Sequence, residues 1–350
     1  MSAREVVADP TRAAEIKEKL ATVKITDAQI DPFGFCNAKC WFCPVRYQKN
    51  PPDAAKHMLP DVLDRILSQL VAERERSDGV VDKSFAHFYT AHYNEILLYK
   101  YLDELLFLTE YYKLRTMILS NGINLTDEKI EVLARHKNAL SGINLNIPAF
   151  EPDLWRERSG ITHRPFDVLV RSVRKTMETF PEMVANKTFS IGVNVPSRAS
   201  MVEHGGWMDL GPNAPSIDLG PDGELERQVK LGRELFPGLQ IYPVPSLVDR
   251  AAILAKHGVI DNSRAVARFR QGAERASNCS NGTRGRIYGW LHVNALGQAF
   301  LCCNDYDFDY TFGSFHESTL RELWLSDAHV DMVDRALGEI CVSCASAVWR

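Results

Sequence analysis

Six short apolar runs with strand character recur along the chain, and helical periodicity fills the gaps between them. That alternation restricts the fold to parallel strands joined by right-handed helical crossovers. Strands are expected at 24–31, 85–90, 114–120, 143–147, 189–195 and 239–244. The intervening helices are expected at 63–71, 102–112, 126–136, 165–180 and 224–236. Thr126 is placed to cap the third of these, with Asp127 and Glu128 in its first turn. A further helix over 11–20 follows Asp9 and Pro10.

Sheets of this kind present catalytic loops at the carboxyl ends of their strands. The loop after the first expected strand holds Cys36, Cys40 and Cys43 in a C-x3-C-x2-C run. Three thiols so close together can reach one metal centre. Iron–sulfur cubanes normally take four cysteine thiolates, so a local set of three leaves one iron open to a small-molecule ligand. Structural zinc usually joins two half-sites, and x3 followed by x2 is unusual for it. Disulfides are disfavoured because nothing marks the chain as secreted.

The cysteine spacing, with the aromatic Phe42 before the third cysteine, resembles the signature of the radical S-adenosylmethionine (SAM) superfamily. The resemblance implies a partial (β/α)6 barrel of the α/β class. It implies that Cys36, Cys40 and Cys43 hold a [4Fe–4S] cluster whose open iron is chelated by SAM. Reductive cleavage would then give a 5′-deoxyadenosyl radical that abstracts a substrate hydrogen. Phe42 is implied to pack near the adenine. Residues 91–95 stand where the family carries a Gly-Gly-Glu-like turn, which gives Asn94 and Glu95 to the methionyl amine, although the glycines are missing. A carboxylate suits an ammonium in a low-dielectric cleft. Ser120-Asn121-Gly122 resembles the family's Thr-Asn-Gly turn, Asn144 and Asn146 fall where relatives contact the ribose, and Arg158 aligns with an arginine near the SAM carboxylate.

The remaining five of the eight cysteines, Cys279, Cys302, Cys303, Cys341 and Cys344, cluster near the end of the chain. Residues 288–302 read as a hairpin turning at Ala295 to Gln298, followed by a helix from Thr319 and a closing C-x2-C pair. This order resembles the auxiliary-cluster extension called SPASM or twitch. Cys279, Cys302, Cys341 and Cys344 would supply four thiolates, enough for one fully ligated cubane. Cys302 fits the family's G-x4-C spacing from Gly297 and is preferred to Cys303; zinc is the competing reading of this set. The division expected is an N-terminal helix over 1–23, a barrel over 24–262 and a small hairpin-plus-helix auxiliary-cluster domain over 263–350.

Composition fits a globular protein, with 45% hydrophobic and 25% charged residues. Lys+Arg 41 against Asp+Glu 45 gives a net charge of −4, which disfavours nucleic acid as a partner. No apolar run approaches the ~20 residues that cross a bilayer, and the first thirty residues are too charged for a secretory signal. A cytoplasmic location is expected, with a flavodoxin- or ferredoxin-type electron donor. The long Gly/Pro-rich stretch 204–223 is expected to cover the open end of the barrel.

A fully ligated auxiliary cluster suits acceptance of an electron from a substrate radical. The resemblance therefore implies oxidation of an amino-sugar- or aminocyclitol-like small molecule in natural-product biosynthesis. A ribosomal-peptide maturase, making crosslinks, thioethers or epimers, is the alternative. The short leading segment argues against the peptide-binding domain that many maturases carry, while Cys303 is the candidate hydrogen donor for an epimerase. A zinc-stabilised interaction protein is the reading from another class. His92, Tyr93 and His204 are the candidate bases.

Overall fold

Apolar residues recur at alternate positions in several strands, as Ala28 and Ile30 or Phe189, Ile191 and Val193 do, so such a strand can bury one side under helices and turn the other inward. The computed structural model describes residues 9–40, 42–47, 57–90, 94–194, 209–210, 223–244, 253–261, 273–280, 284–344 and 346–349. In it β1 (Asp27–Ile30), β2 (His87–Tyr89), β3 (Arg115–Ser120), β4 (Leu140–Asn146), β5 (Phe189–Asn194) and β6 (Gln240–Val244) lie side by side in chain order, all parallel. The expected hairpin joins the same sheet. Its first strand, β7 (Trp290–Val293), runs parallel to β1, and β8 (Gln298–Phe300) and β9 (Thr311–Ser314) add antiparallel beyond it. The order is β9-β8-β7-β1-β2-β3-β4-β5-β6, an open sheet rather than a closed barrel.

Helices α1 (Pro10–Thr22), α2 (Pro60–Glu75), α3 (Leu102–Tyr111), α4 (Asp127–Arg135), α5 (Pro152–Ser159), α6 (Phe166–Thr179) and α7 (Glu224–Leu235) follow the expected alternation, apart from α5. Thr126 caps α4 as expected, accepting from the Lys129 backbone N–H. The first strand is shorter than expected, because Ile25 forms only an isolated bridge with Val81. Sequence patterning missed α5, a single short helix begun at Pro152 and ended by Gly160 in the left-handed region at φ +65°. It also missed α9 (Asp327–Gly338), which follows α8 (Leu320–Trp324) and is capped by Ser326.

Ala28, Ile30, Phe88, Ile143, Leu291 and Val293 lie on the buried outer side of their strands, in one core with the helices. Alternation leaves Asp27, Gln29, His87, Tyr89, Asn144, Trp290 and His292 on the inner side. The C-terminal helices are tied to the first helix. Trp324 donates its indole N–H to the Leu20 carbonyl at 3.0 Å, and Arg12 pairs with the buried Asp334 at 3.0 Å.

His329 is fully enclosed here, stacked on Phe312 at 3.9 Å with Nδ1 2.8 Å from the Trp324 carbonyl oxygen. Burial holds its pKa down at about 4, against an ordinary 6.5. The folded chain therefore keeps the ring neutral, and stability present above pH 6.5 is lost as pH falls through 4, by about 3 kcal/mol. Urea unfolding of the wild type and of His329→Gln tests this: the variant should lose much of the decline between pH 7 and pH 4.

Candidate functional site

The loop after β1 is held from three directions. Glu95 N donates to the Phe35 carbonyl at 2.9 Å, Lys39 N to the Ser159 carbonyl at 2.8 Å, and Asn121 Nδ2 to Asn37 Oδ1 at 2.9 Å. Gly160 permits the second contact, since a Cβ there would meet Lys39 Cβ at 2.9 Å. Cys36, Cys40 and Cys43 are thereby gathered. Burial pushes the Cys36 thiol up to about 12, with the Glu95 carboxylate adding to it, and burial plus the Cys43 and Cys36 sulfurs raises Cys40 further. Burial raises Cys43 too. Such thiols ionise on binding a strongly positive centre, which fits a site for an iron–sulfur cluster.

Glu95 is 1% exposed and its carboxylate is already engaged. Oε1 accepts from Ser120 Oγ at 2.6 Å and Leu97 N at 3.2 Å, and Oε2 accepts from Asn121 N at 2.7 Å. Burial raises its pKa against these three donors. Glu95, Ser120 and Asn121 are thus brought together and joined to one another, and Asn121 reaches the cysteine loop.

The other residues read from the sequence are more dispersed. Asn94 donates to Asp31 Oδ1 at 2.8 Å and to the Thr90 carbonyl. Asn144 donates to Ser190 Oγ at 2.9 Å and Tyr242 OH at 2.7 Å on the inner face, and Asn146 is exposed at the end of β4. Arg158 is buried against Glu224 at 3.2 Å and donates to the Pro148 carbonyl, so its charge is matched within the α5–α7 interface. Phe42 packs with Leu254, Ile260, Phe300 and Tyr306 in an apolar cluster that includes Cys40 and Cys43 at its edge. His92, Tyr93 and His204 lie outside the described residues, as does most of 204–223.

The second array is built from separate elements. Residues 278–279 pair antiparallel with 347–348, and the turn at Cys341 to Cys344 closes on itself through Cys344 N to the Cys341 carbonyl, 3.0 Å. Cys279, Cys302, Cys341 and Cys344 line one pocket with Ile287 and Leu301. Backbone N–H groups of Asn304 and Ser346 lie 3.4 Å from the Cys302 and Cys344 sulfurs. Burial, then the Cys344 and Cys279 sulfurs, raises Cys341. Among the described residues no three Cys, His, Asp or Glu side chains converge on a single-ion site. Four thiols spread around an apolar pocket fit a cubane, in which each iron takes one thiolate.

Cys303 does not line that pocket, although its thiol lies against that of Cys302. It is fully buried, and Arg286 Nη1 donates to its sulfur. Beside it His292 is 0% exposed, with the Cys303 thiol against its ring. Burial lowers the His292 pKa, and Cys303 opposes that. On the same inner face the Tyr89 and Trp290 rings stack at 5.5 Å and 4°, with the Arg286 guanidinium 4.4 Å from the Trp290 centroid. Sequence reasoning missed this row. The signal was present as polar or aromatic residues at alternate positions, Asp27-Gln29-Asp31, His87-Tyr89 and Trp290-His292.

A family model described as the radical SAM superfamily matches residues 30–204, and one for SPASM, an iron–sulfur cluster-binding domain, matches residues 285–345. Among solved structures, the chain is similar to Streptococcus suis SuiB bound to S-adenosylmethionine, at 16% identity and TM-score 0.53, covering 91% of this chain and 69% of that one. It is similar to anSMEcpe with bound AdoMet, at 14% identity and TM-score 0.50, covering 92% and 85%. For BtrN in complex with AdoMet and 2-DOIA the values are 15% identity, TM-score 0.49, and coverage of 90% and 87%. Identities this low speak for the fold. No curated protein matches the chain.

Removing the Glu95 carboxylate strands three donors at once, two of them in buried contacts. Glu95→Ala should lower stability by about 3 kcal/mol in urea unfolding and reduce the iron retained after reconstitution. Wild-type iron content in that variant would show that the cysteine loop holds itself.

Proposed function

The chain belongs to the radical SAM superfamily and carries a C-terminal SPASM domain, and from that membership we propose that this enzyme oxidises an amino-sugar- or aminocyclitol-like substrate. SAM at a first [4Fe–4S] cluster supplies the hydrogen-abstracting 5′-deoxyadenosyl radical, and an auxiliary cluster accepts one electron. Cys36, Cys40 and Cys43 hold the first cluster. Cys279, Cys302, Cys341 and Cys344 hold the second. A flavodoxin- or ferredoxin-type protein is the electron donor.

One observation carries the oxidative reading. Four thiols line the second pocket, and Cys303 is not among them, its thiol lying against Cys302, Arg286 and His292. Four thiolates complete a cubane and leave no iron open to substrate, which favours electron transfer over substrate ligation. Around the first cluster, Glu95 fixes the β3 terminus through Ser120 and Asn121, and Asn121 orients the cysteine loop through Asn37. The polar inner face, with Asn144, Tyr242 and Ser190 hydrogen-bonded together, presents hydroxyl and amide groups to a polar substrate. A peptide-modifying reaction is the second reading, favoured by the likeness in fold to SuiB, a structure of which holds the precursor peptide SuiA.

Anaerobic reconstitution should load about eight irons per wild-type chain and about four in Cys344→Ala. That variant should still form some 5′-deoxyadenosine while losing product; full product yield from it would remove the electron-acceptor role. A panel of aminocyclitols, amino sugars and short peptides, screened for loss of two hydrogens by mass, decides between the two substrate classes.

A further inference from the structure

We propose that His87 and Asp27 form the proton-accepting pair of this oxidation, with His87 taking the proton of the substrate hydroxyl and Asp27 steadying the imidazolium. The proposal rests on the oxidative reading above. The substrate carbon first gives its hydrogen atom to the SAM-derived radical. It then gives one electron to the auxiliary cluster while its hydroxyl gives one proton to His87. One C–H and one O–H bond break and a carbonyl π bond forms.

The pairing of Ala28 with Phe88 and of Gln29 with Tyr89 sets Asp27 beside His87 at the inner face of adjacent parallel strands. Both side chains are half-buried. Among the described residues neither Asp27 nor His87 has a side-chain hydrogen bond or ion pair. The His87 ring packs edge-on against Tyr89 at 4.5 Å, which leaves its nitrogens and the neighbouring Asp27 carboxylate available to a ligand. Asp27 is the charge that acts on His87, raising its pKa against the lowering effect of burial. A carboxylate beside an imidazole is how a histidine base is made to hold a proton.

The surroundings point the same way. Tyr89, two residues along β2, also feels Asp27 and Arg286, and its ring lies against Trp290. Arg115, the register neighbour of His87 on β3, is exposed, so water screens its charge. From Trp290 the path continues through Arg286 to Cys303, the chain neighbour of Cys302. Proton acceptor and proposed electron acceptor are therefore joined by packed side chains on one face. His292 shares that face but is fully buried, whereas His87 is half-buried.

Two measurements on the reconstituted enzyme test the pair. In histidine 13Cε1 NMR, with His87→Gln identifying the resonance, Asp27→Asn should lower the His87 titration midpoint by roughly half a pH unit or more. An unchanged midpoint overturns the pair whatever the substrate is. In turnover of the aminocyclitol that the panel selects, His87→Gln should raise the ratio of 5′-deoxyadenosine to product at least ~10-fold and remove the acidic limb of the pH profile. A wild-type ratio and profile overturn the base role. If the wild-type enzyme oxidises no aminocyclitol or amino sugar, the functional reading fails and the base role with it, while the NMR measurement still decides whether the two side chains are coupled.

Discussion

Strand β7 enters the sheet late in the chain and lies parallel to β1, with Asp27 beside Trp290 and Ile30 beside Val293. This pairing completes the hydrogen bonding of β1 on its second side, so the strand that delivers Cys36 is central rather than an edge. It also sets the two cysteine arrays in a fixed relation. Cys36 follows the end of β1, while β8 runs back antiparallel to β7 and leads to Cys302 on the side where β1 begins. A parallel sheet with a thiol array at each end of its strands follows from that one contact.

Burial does the remaining work of positioning. The outer row of Ala28, Phe88 and Leu291 packs under helices and fixes register, because a slip of one residue would turn every polar inner group into the core. The inner row is then free to be polar. Arg158 with Glu224 is an exception on the helical side, a buried pair that aligns α5 with the first turn of α7. A pair like this adds little net stability, yet removing either partner is costly.

Much of this was legible in the sequence, for physical reasons. The alternation of strand and helix patterns and the Thr126 cap come from local chemistry, and both are present. The family resemblance of the cysteine spacing agrees with both family models. Less legible were the features that need two distant segments. Nothing local in Trp290 to Val293 says that its partner is β1, so the hairpin read as a separate unit. The unassigned role of the inner row has the same origin: Asp27, His87 and Trp290 are unremarkable until the register sets them side by side. α9 was missed although Val330, Val333 and Leu337 recur at helical spacing, because its Ser326 cap follows another short helix closely and the two read as one segment.

The four thiols of the second pocket come from places far apart in the chain, between residues 279 and 344. A cluster bound there would act as a clasp, closing loops whose entropy the polypeptide alone must otherwise offset. Because β7 runs beside β1, any order that the clasp imposes would reach the strand that feeds the first cysteine loop. Iron supply would thus bear on how firmly the C-terminal segments are held as well as on whether the protein can react.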